Sequence, residues 1–314
     1  MRAWQYVGTG EPLARVELPE PVAGAGEVVV DVRAAGLCHT DVAIMDGPTS
    51  SILGQVPIVL GHEVAGVVRE LGPGVTGVRV GDRVGIDPSG GFHGPGVGRD
   101  GGYAAATIGR VGELVPIPDG VGFEQAASGC DAGATSHHAV RAVAQVTAGT
   151  RVGVIGLGGL GQVGARIAVL AGAEVHVADV RAELEDVARG LGAQGFVTDV
   201  ADLAPLGLDV LIDFAGMRTT GPAIDAVRPG GRVVQVGAGA PEATISVERL
   251  VIKRVELLGT LGSERADLES VYQLMASGEL DPVITTLGFD DIPAGLDQLR
   301  RGEATGRLIA RYAD

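Results

Sequence analysis

Three short stretches of the chain carry the side chains that bind metals best. GLCHTD (36–41) supplies Cys38 and His39, GHE (61–63) supplies His62 and Glu63, and GCDAGAT (129–135) sets Cys130 beside Asp131. Taken singly, each has a bland explanation: a buried cysteine, a histidine at a strand end, an aspartate capping a helix. Together they offer thiolate, imidazole and carboxylate, the donors zinc accepts, and a catalytic zinc takes three protein ligands and keeps one position open. Cys38 and His62 are 24 residues apart, and His62 and Asp131 are 69 apart, which fits no compact zinc finger. Spacing alone therefore leaves the metal as one option among several.

A second chemical group is compact. GLGGLG (156–161) is a complete G-x-G-x-x-G that follows the strand-like VGVI and opens a helix, and Asp179 ends the next strand 18 positions after Gly161. That context identifies a dinucleotide site. Gly156 permits the tight turn, Gly158 lets the backbone approach a pyrophosphate, and Gly161 lets helix and strand pack closely. The helix N-terminus then offers free N–H groups to the anion. Asp179 accepts from the ribose hydroxyls and repels a 2′-phosphate, which favours NAD over NADP, while Arg181 two residues on works the other way.

The elements that must position these groups change character along the chain. Runs at 27–36, 57–68 and 82–86 are β-branched and bounded by Gly, Pro and Asp, so they are expected to be strands. After Phe123 a helix is expected at 139–146, then a buried strand at 151–156 feeding a helix over 162–170. Strands at 174–179, 209–216, 230–237 and 255–261 alternate with helical pieces, and helices at 267–278 and 294–302 precede a last strand at 307–312. Such alternation predicts an α/β fold whose parallel sheet is covered by helices on both faces. One low-complexity patch, SGGFHGPGVGRDGG (89–102), is half glycine.

Composition narrows the function classes. With 52 glycines in 314 residues and only 3% aromatics, the chain has the make-up of a compact α/β protein long enough for two domains. A net charge of −15 argues against nucleic-acid and anionic-membrane partners. Lys253 is the only lysine, which leaves a single candidate for Schiff-base chemistry. The N-terminus lacks the apolar core of a signal peptide, and 152–180 is too interrupted to span a bilayer. Two cysteines cannot build a disulfide framework, so a cytoplasmic enzyme using a thiolate is expected.

The order GLCHTD, GHEVAGVV, GDRV, DGGYA, a ligand followed by AG-x-T, and GLGGLG resembles the medium-chain dehydrogenase/reductase superfamily, and within it the zinc-dependent alcohol dehydrogenases. The likeness extends to GELDPVIT (278–285) and RRGEATGRLI (300–309). It implies a GroES-like, mostly β catalytic domain at 1–131 and 262–314, a Rossmann coenzyme domain at 132–261, and a cleft between them. It also implies that Cys38 and His62 ligate the catalytic zinc, that Glu63 approaches it during ligand exchange, and that Asp41 orients the ligand histidine. Thr40 passes the substrate proton onward, His39 lies near the coenzyme pyrophosphate, and Thr135 sits beside the nicotinamide. Gly159, Leu160, Val236, Gly237 and Leu261 join the glycine loop, Asp179 and Arg181 as coenzyme contacts.

The third ligand, usually a cysteine, directly precedes the small AG-x-T run. Here that residue is Asp131, with Cys130 one place early. Neighbours at a helix start point about 100° apart, so one of the two reaches the metal. Position favours Asp131 and leaves Cys130 as the alternative. A carboxylate gives less electron density than a thiolate, which makes a stronger Lewis acid.

The chain departs from its relatives in three ways. The 85–99 segment has no cysteine where many relatives carry a structural-zinc lobe, so one zinc per chain is expected. Ala43 replaces a histidine that often ends the proton relay. The 46–56 stretch lacks a pocket-narrowing aromatic, which hints at a larger substrate. The reading is a zinc-dependent alcohol dehydrogenase or carbonyl reductase that moves hydride between a small-molecule alcohol, aldehyde or ketone and NAD(H), with NAD(H) preferred over NADP(H). Pairing of VELLGTL with its copy would make a homodimer or tetramer. The alternatives are a zinc-free reductase of activated double bonds, and a dinucleotide-binding protein without turnover.

Overall fold

The run EVVVDVRAAG becomes the strand Glu27–Gly36, the hub of a seven-stranded sheet. The structure, a computed structural model, describes residues 1–47, 49–88 and 93–312, so the opening of the glycine-rich patch, 89–92, lies outside the described residues. The chain forms two compact units, Met1–Ala134 with Gly262–Asp314, and Thr135–Leu261.

In the first unit the sheet order is Ile284–Gly288, Arg307–Arg311, Glu27–Gly36, Glu63–Leu71, Arg83–Ile86 and Leu114–Pro116, with Ala106–Arg110 also paired to Glu27–Gly36. A three-stranded sheet of Ala14–Glu17, Arg2–Tyr6 and Ile58–Val59 stands beside it. Val28, Val30, Ile58, Leu60, Ile86, Tyr103 and Leu308 fill the interior.

The run at 57–68 is not one strand, as its β-branched residues suggested, but two. Ile58–Val59 pairs with Arg2–Tyr6, and Glu63–Leu71 pairs with Glu27–Gly36. The break falls at Leu60–His62 because Gly61 adopts φ +90°, and a Cβ there would strike the Tyr103 ring. Only glycine enters that region without strain. His62 is thereby placed at the joint between two sheets. Strands Arg2–Tyr6, Ala14–Glu17 and Ile284–Gly288 had no distinct sequence signature. Ile284–Gly288 runs parallel to Arg307–Arg311.

The second unit is a six-stranded, all-parallel sheet ordered Gly195–Val197, Glu174–Ala178, Arg151–Ile155, Leu208–Asp213, Val227–Gln235, Glu256–Gly259. Numbered along the chain this is 3-2-1-4-5-6, the doubly wound order whose ligands bind where the strand order reverses, beyond the carboxyl ends. Val152, Val154, Leu211, Ile212, Val233 and Val234 are buried, the near-continuous apolar runs of a sheet covered on both faces. The helix expected at 139–146 begins earlier. Residues Ala134–His138 form an α-turn that widens to a π-turn over Ala139–Val143. No helix among the described residues is long and apolar enough to cross a membrane.

Candidate metal and dinucleotide sites

Cys38 follows the strand Glu27–Gly36 and stands at the head of the short helix His39–Met45. Asp41, fully buried in that helix, turns back so that its Oδ2 accepts the Cys38 backbone N–H at 3.2 Å and the Tyr103 hydroxyl at 2.7 Å. Its Oδ1 lies 3.3 Å from His62 Nδ1. The imidazole is thus held from behind, and its Nε2 points at Asp131 Oδ2, 3.6 Å away. Cys38 Sγ is also 3.6 Å from Asp131 Oδ2.

These distances suit a metal. Bonds of about 2.3 Å to sulfur and 2.0–2.2 Å to nitrogen and oxygen set tetrahedral ligand atoms roughly 3.4–3.6 Å apart. One donor atom each from Cys38, His62, Glu63 and Asp131 lies within 4.8 Å of the others. Sulfur, imidazole nitrogen and carboxylate oxygen form a donor set that suits zinc.

The neighbouring residue goes elsewhere. Gly129–Gly133 is a π-turn that aims Asp131 at the cluster and Cys130 into the core. The Cys130 thiol donates to the Val64 and Ala126 carbonyls at 3.3 Å and meets the Tyr272 hydroxyl at 3.4 Å. Burial pushes it up to about 12, so it stays a thiol. Close packing explains the glycines: a Cβ at Gly129 or Gly133 would press on Tyr272 or Val271 of the helix Arg265–Ala276.

The electrostatics of the cluster follow from its burial. For Cys38 burial opposes ionisation, but the Arg307 guanidinium and His62 outweigh it and hold the thiol below its usual range. For His62 burial disfavours the cation, yet Asp41 and Asp131 hold its pKa well above the ordinary value. Burial would raise Asp41, but His62, Tyr103 and the Cys38 N–H keep it below the usual carboxylate range.

Arg307 is the site residue that sequence reasoning missed. It opens the strand Arg307–Arg311, is 3% exposed, and its Nε donates to Glu63 Oε2 at 3.0 Å. Its second nitrogen contacts Glu63 Oε1 and lies 3.5 Å from Asp131 Oδ2. Glu63 therefore faces Arg307 as well as the cluster. It has room because Gly36, its partner in register, lacks a Cβ that would strike Glu63 Oε2. The sequence offered only an arginine at the start of RLIAR, a strand that ends on a second one.

Thr40 Oγ1 lies 3.5 Å from Cys38 Sγ, within reach of anything bound at the cluster. His39 instead bonds the Leu299 carbonyl at 3.1 Å, and burial together with Arg307 keeps it below its usual range and hence neutral near pH 7.

In the second unit Gly156 takes φ +83° at the end of Arg151–Ile155, and a Cβ on Gly161 would collide with the Gly156 carbonyl. Nothing lies within 4 Å of a Cβ built on Gly158, so open space faces that backbone. Asp179 ends the adjacent strand and accepts the Leu157 N–H at 2.7 Å, which joins acid and loop. Arg181 folds back on Asp179, Nε to Oδ1 at 3.2 Å. Burial would raise Asp179, but these bonds hold it below the usual range. Leu160 begins the helix Gly161–Leu170, and its carbonyl accepts from Ser136 at 2.9 Å. Val236 and Gly237 both donate to the Asp213 carbonyl at 2.9 Å, Thr135 is buried, and Leu261 is exposed.

Comparison with known proteins agrees with this fold. Residues 24–119 match the alcohol dehydrogenase GroES-like domain and 159–277 the zinc-binding dehydrogenase domain. An alcohol dehydrogenase of Geobacillus stearothermophilus is 30% identical over 96% of each chain. An NAD-dependent alcohol dehydrogenase of Sulfolobus acidocaldarius is 32% identical over 99% of each. The structure of acetophenone reductase from Geotrichum candidum, in complex with NAD, superposes with a TM-score of 0.92 at 28% identity, covering 99% of this chain and 97% of that one. With a GroES-like unit, a doubly wound unit and full-length relatives of this kind, the chain belongs to the zinc-dependent alcohol dehydrogenases of the medium-chain dehydrogenase/reductase superfamily.

Proposed function

We propose that the chain is an NAD-dependent oxidoreductase that interconverts alcohols with aldehydes or ketones, using one catalytic zinc held by Cys38, His62 and Asp131. The observation that carries this is the convergence of three different donors at ligand–ligand spacing, backed by Asp41 on the far side of His62. A zinc there supplies Lewis acidity that lowers an alcohol's pKa or polarises a carbonyl. The nicotinamide supplies or takes the hydride.

The chain's own residues do the rest. Asp41, fixed by Tyr103 and the Cys38 N–H, sets the His62 ring orientation, as such outer carboxylates do for ligand histidines. Thr40, the hydroxyl nearest Cys38, takes or returns the substrate proton. Ala43 has no group to continue that relay, so the proton leaves Thr40 by way of water. Cys38 and Cys130 are the only cysteines in the sequence, so a four-cysteine structural zinc has no ligands to bind it. Asp179 takes the adenosine ribose and makes NAD the preferred coenzyme.

The test is metal content of unchelated protein by mass spectrometry, together with NAD reduction on a panel of primary, secondary and aryl alcohols. About one zinc per chain with turnover that stops on chelation is the expected result. A metal-free protein that still turns over nicotinamide would instead promote the zinc-free reductase.

The same reading includes a homo-oligomer. Glu256–Gly259 is the last strand of its sheet and carries the exposed Leu257, and Val247, Val251 and Ile252 are exposed on the preceding helix Val247–Lys253. An open strand edge carrying an exposed apolar side chain favours pairing with a second copy. Light scattering is expected to give twice or four times the 31.7 kDa chain mass, with Leu257→Lys shifting it toward the monomer. A wild-type monomer at all concentrations would refute it.

A further inference from the structure

The glycine-rich segment ahead of Tyr103 lies along the three residues that lead into His62. Gly101 donates to the Val59 carbonyl at 2.8 Å, Gly102 to Gly61 at 2.7 Å and Tyr103 to Leu60 at 3.0 Å. The Val59 N–H in turn donates to Asp100 Oδ1 at 2.8 Å. The approach is close. A Cβ on Gly96 would fall 2.7 Å from the Gly61 carbonyl carbon, and one on Gly101 would collide with the Gly61 oxygen. Tyr103 completes the backing, its ring against Gly61 and its hydroxyl on Asp41, the carboxylate behind the His62 ring.

Five of the ten residues from His93 to Gly102 are glycine, so the segment has few side chains with which to hold that place. Each glycine also gives up more backbone freedom than any other residue. Arg99 supplies the hold. Its side chain is 16% exposed, and its guanidinium forks onto Glu113, Nη1 to Oε1 at 3.3 Å and Nη2 to Oε2. Its Nε donates to the Ile108 carbonyl at 3.1 Å and its Nη1 to the His93 carbonyl at 2.6 Å. Glu113 is itself fixed, because its Oε2 accepts the Arg110 N–H at 3.1 Å. A bidentate pair of this kind sets direction as well as distance. We propose that Arg99 is a positioning residue for the zinc ligand His62, acting through the loop that it clamps to Glu113. The inference rests on the zinc reading of Cys38, His62 and Asp131. Cys38 and Asp131 stand on other elements, so a loosened clamp displaces one donor relative to the other two.

Competition of the full chain with a chromophoric zinc chelator, beside thermal unfolding of the metal-free protein, tests this in the wild type, Arg99→Met, Arg99→Lys and Glu113→Gln. Arg99→Met is expected to raise the zinc Kd by about tenfold or more, the low end for groups that stand behind a metal ligand. Arg99→Lys keeps the charge without the fork and falls between, as does Glu113→Gln. The visible absorption of the cobalt-substituted protein shifts in Arg99→Met and returns toward wild type in Arg99→Lys. A merely structural arginine would lower the Tm of the metal-free protein and leave zinc affinity and the cobalt spectrum unchanged. Zinc Kd values within about twofold of wild type in all three folded variants overturn the proposal, while zinc uptake by the wild type upholds the site. Should Arg99→Met fail to fold, Arg99→Lys and Glu113→Gln carry the same comparison. A wild type that takes up no zinc overturns both.

Discussion

Asp131→Ala is expected to lose zinc and turnover together. Metal content after dialysis falls from about one per chain to near zero, and kcat falls by at least about a thousandfold, since removing a ligand exceeds the 10–100-fold effect of altering an outer partner. Cys38→Ser and His62→Ala are expected to behave alike, because each removes a donor from a set with no spare member of its own kind nearby. NAD binding persists in all three, as the glycine loop and Asp179 belong to the other unit. The informative control is Cys130→Ser. That sulfur is fully buried among the Val64 and Ala126 carbonyls and Tyr272, so its loss costs stability and spares the zinc. Mass spectrometry of the four variants beside wild type decides the matter. Zinc lost in Cys130→Ser would transfer the third ligand to the cysteine, and wild-type zinc in Asp131→Ala would transfer it to Cys130 or to Glu63.

The second large effect is on stability. Arg307→Met strands Glu63, whose side chain is wholly buried, without its cation. Breaking a buried pair from one side costs about 3–5 kcal/mol, because the remaining charge has lost its solvent and its partner. For a protein of this size that lowers Tm by roughly 5–8 °C. Glu63→Gln in the same background removes the stranded charge, so the double variant is expected to regain at least about 1 kcal/mol. Thermal unfolding of the metal-free protein measures all three without reference to catalysis. A Tm within a degree or two of wild type for Arg307→Met would mean that water or a rearranged chain serves Glu63, and the pair would lose its structural importance.

The coenzyme unit was more legible than the metal unit, for a physical reason. A parallel strand buried on both faces and a glycine loop opening a helix are local patterns, so VGVIGLGGLG declared itself within ten residues, and the alternation around it carried the sheet. Gly195–Val197 escaped because three half-buried residues have no period to detect. The metal unit depends on long-range placement. Nothing local distinguished the two halves of 57–68, since the deciding contact is between Gly61 and the ring of Tyr103, 42 positions away. The π-turn at Gly129–Gly133 separates Cys130 from Asp131 through backbone packing against a helix more than 130 residues later. Sequence position pointed to Asp131, but only through the resemblance. Arg307 was hidden altogether, because a charged residue at the start of a strand ordinarily faces water. Arg181 was seen as a complication for coenzyme choice, yet its grip on Asp179 is a rotamer, which no composition or spacing encodes.

The strand that brings Arg307 to Glu63 also dictates an order of assembly. The two residues are 244 positions apart, and the whole of Thr135–Leu261 is threaded between them. Contacts of such separation form late, because the intervening chain must first give up its freedom. The inserted unit is contiguous and can close on itself as soon as it emerges. The sheet around Cys38, His62 and Asp131 holds a buried glutamate with no counter-cation until the far strand arrives. A growing chain thus keeps the unit around Cys38, His62 and Asp131 open while the inserted unit can already close, and the proposed zinc site is completed only after the strand Arg307–Arg311 has been made.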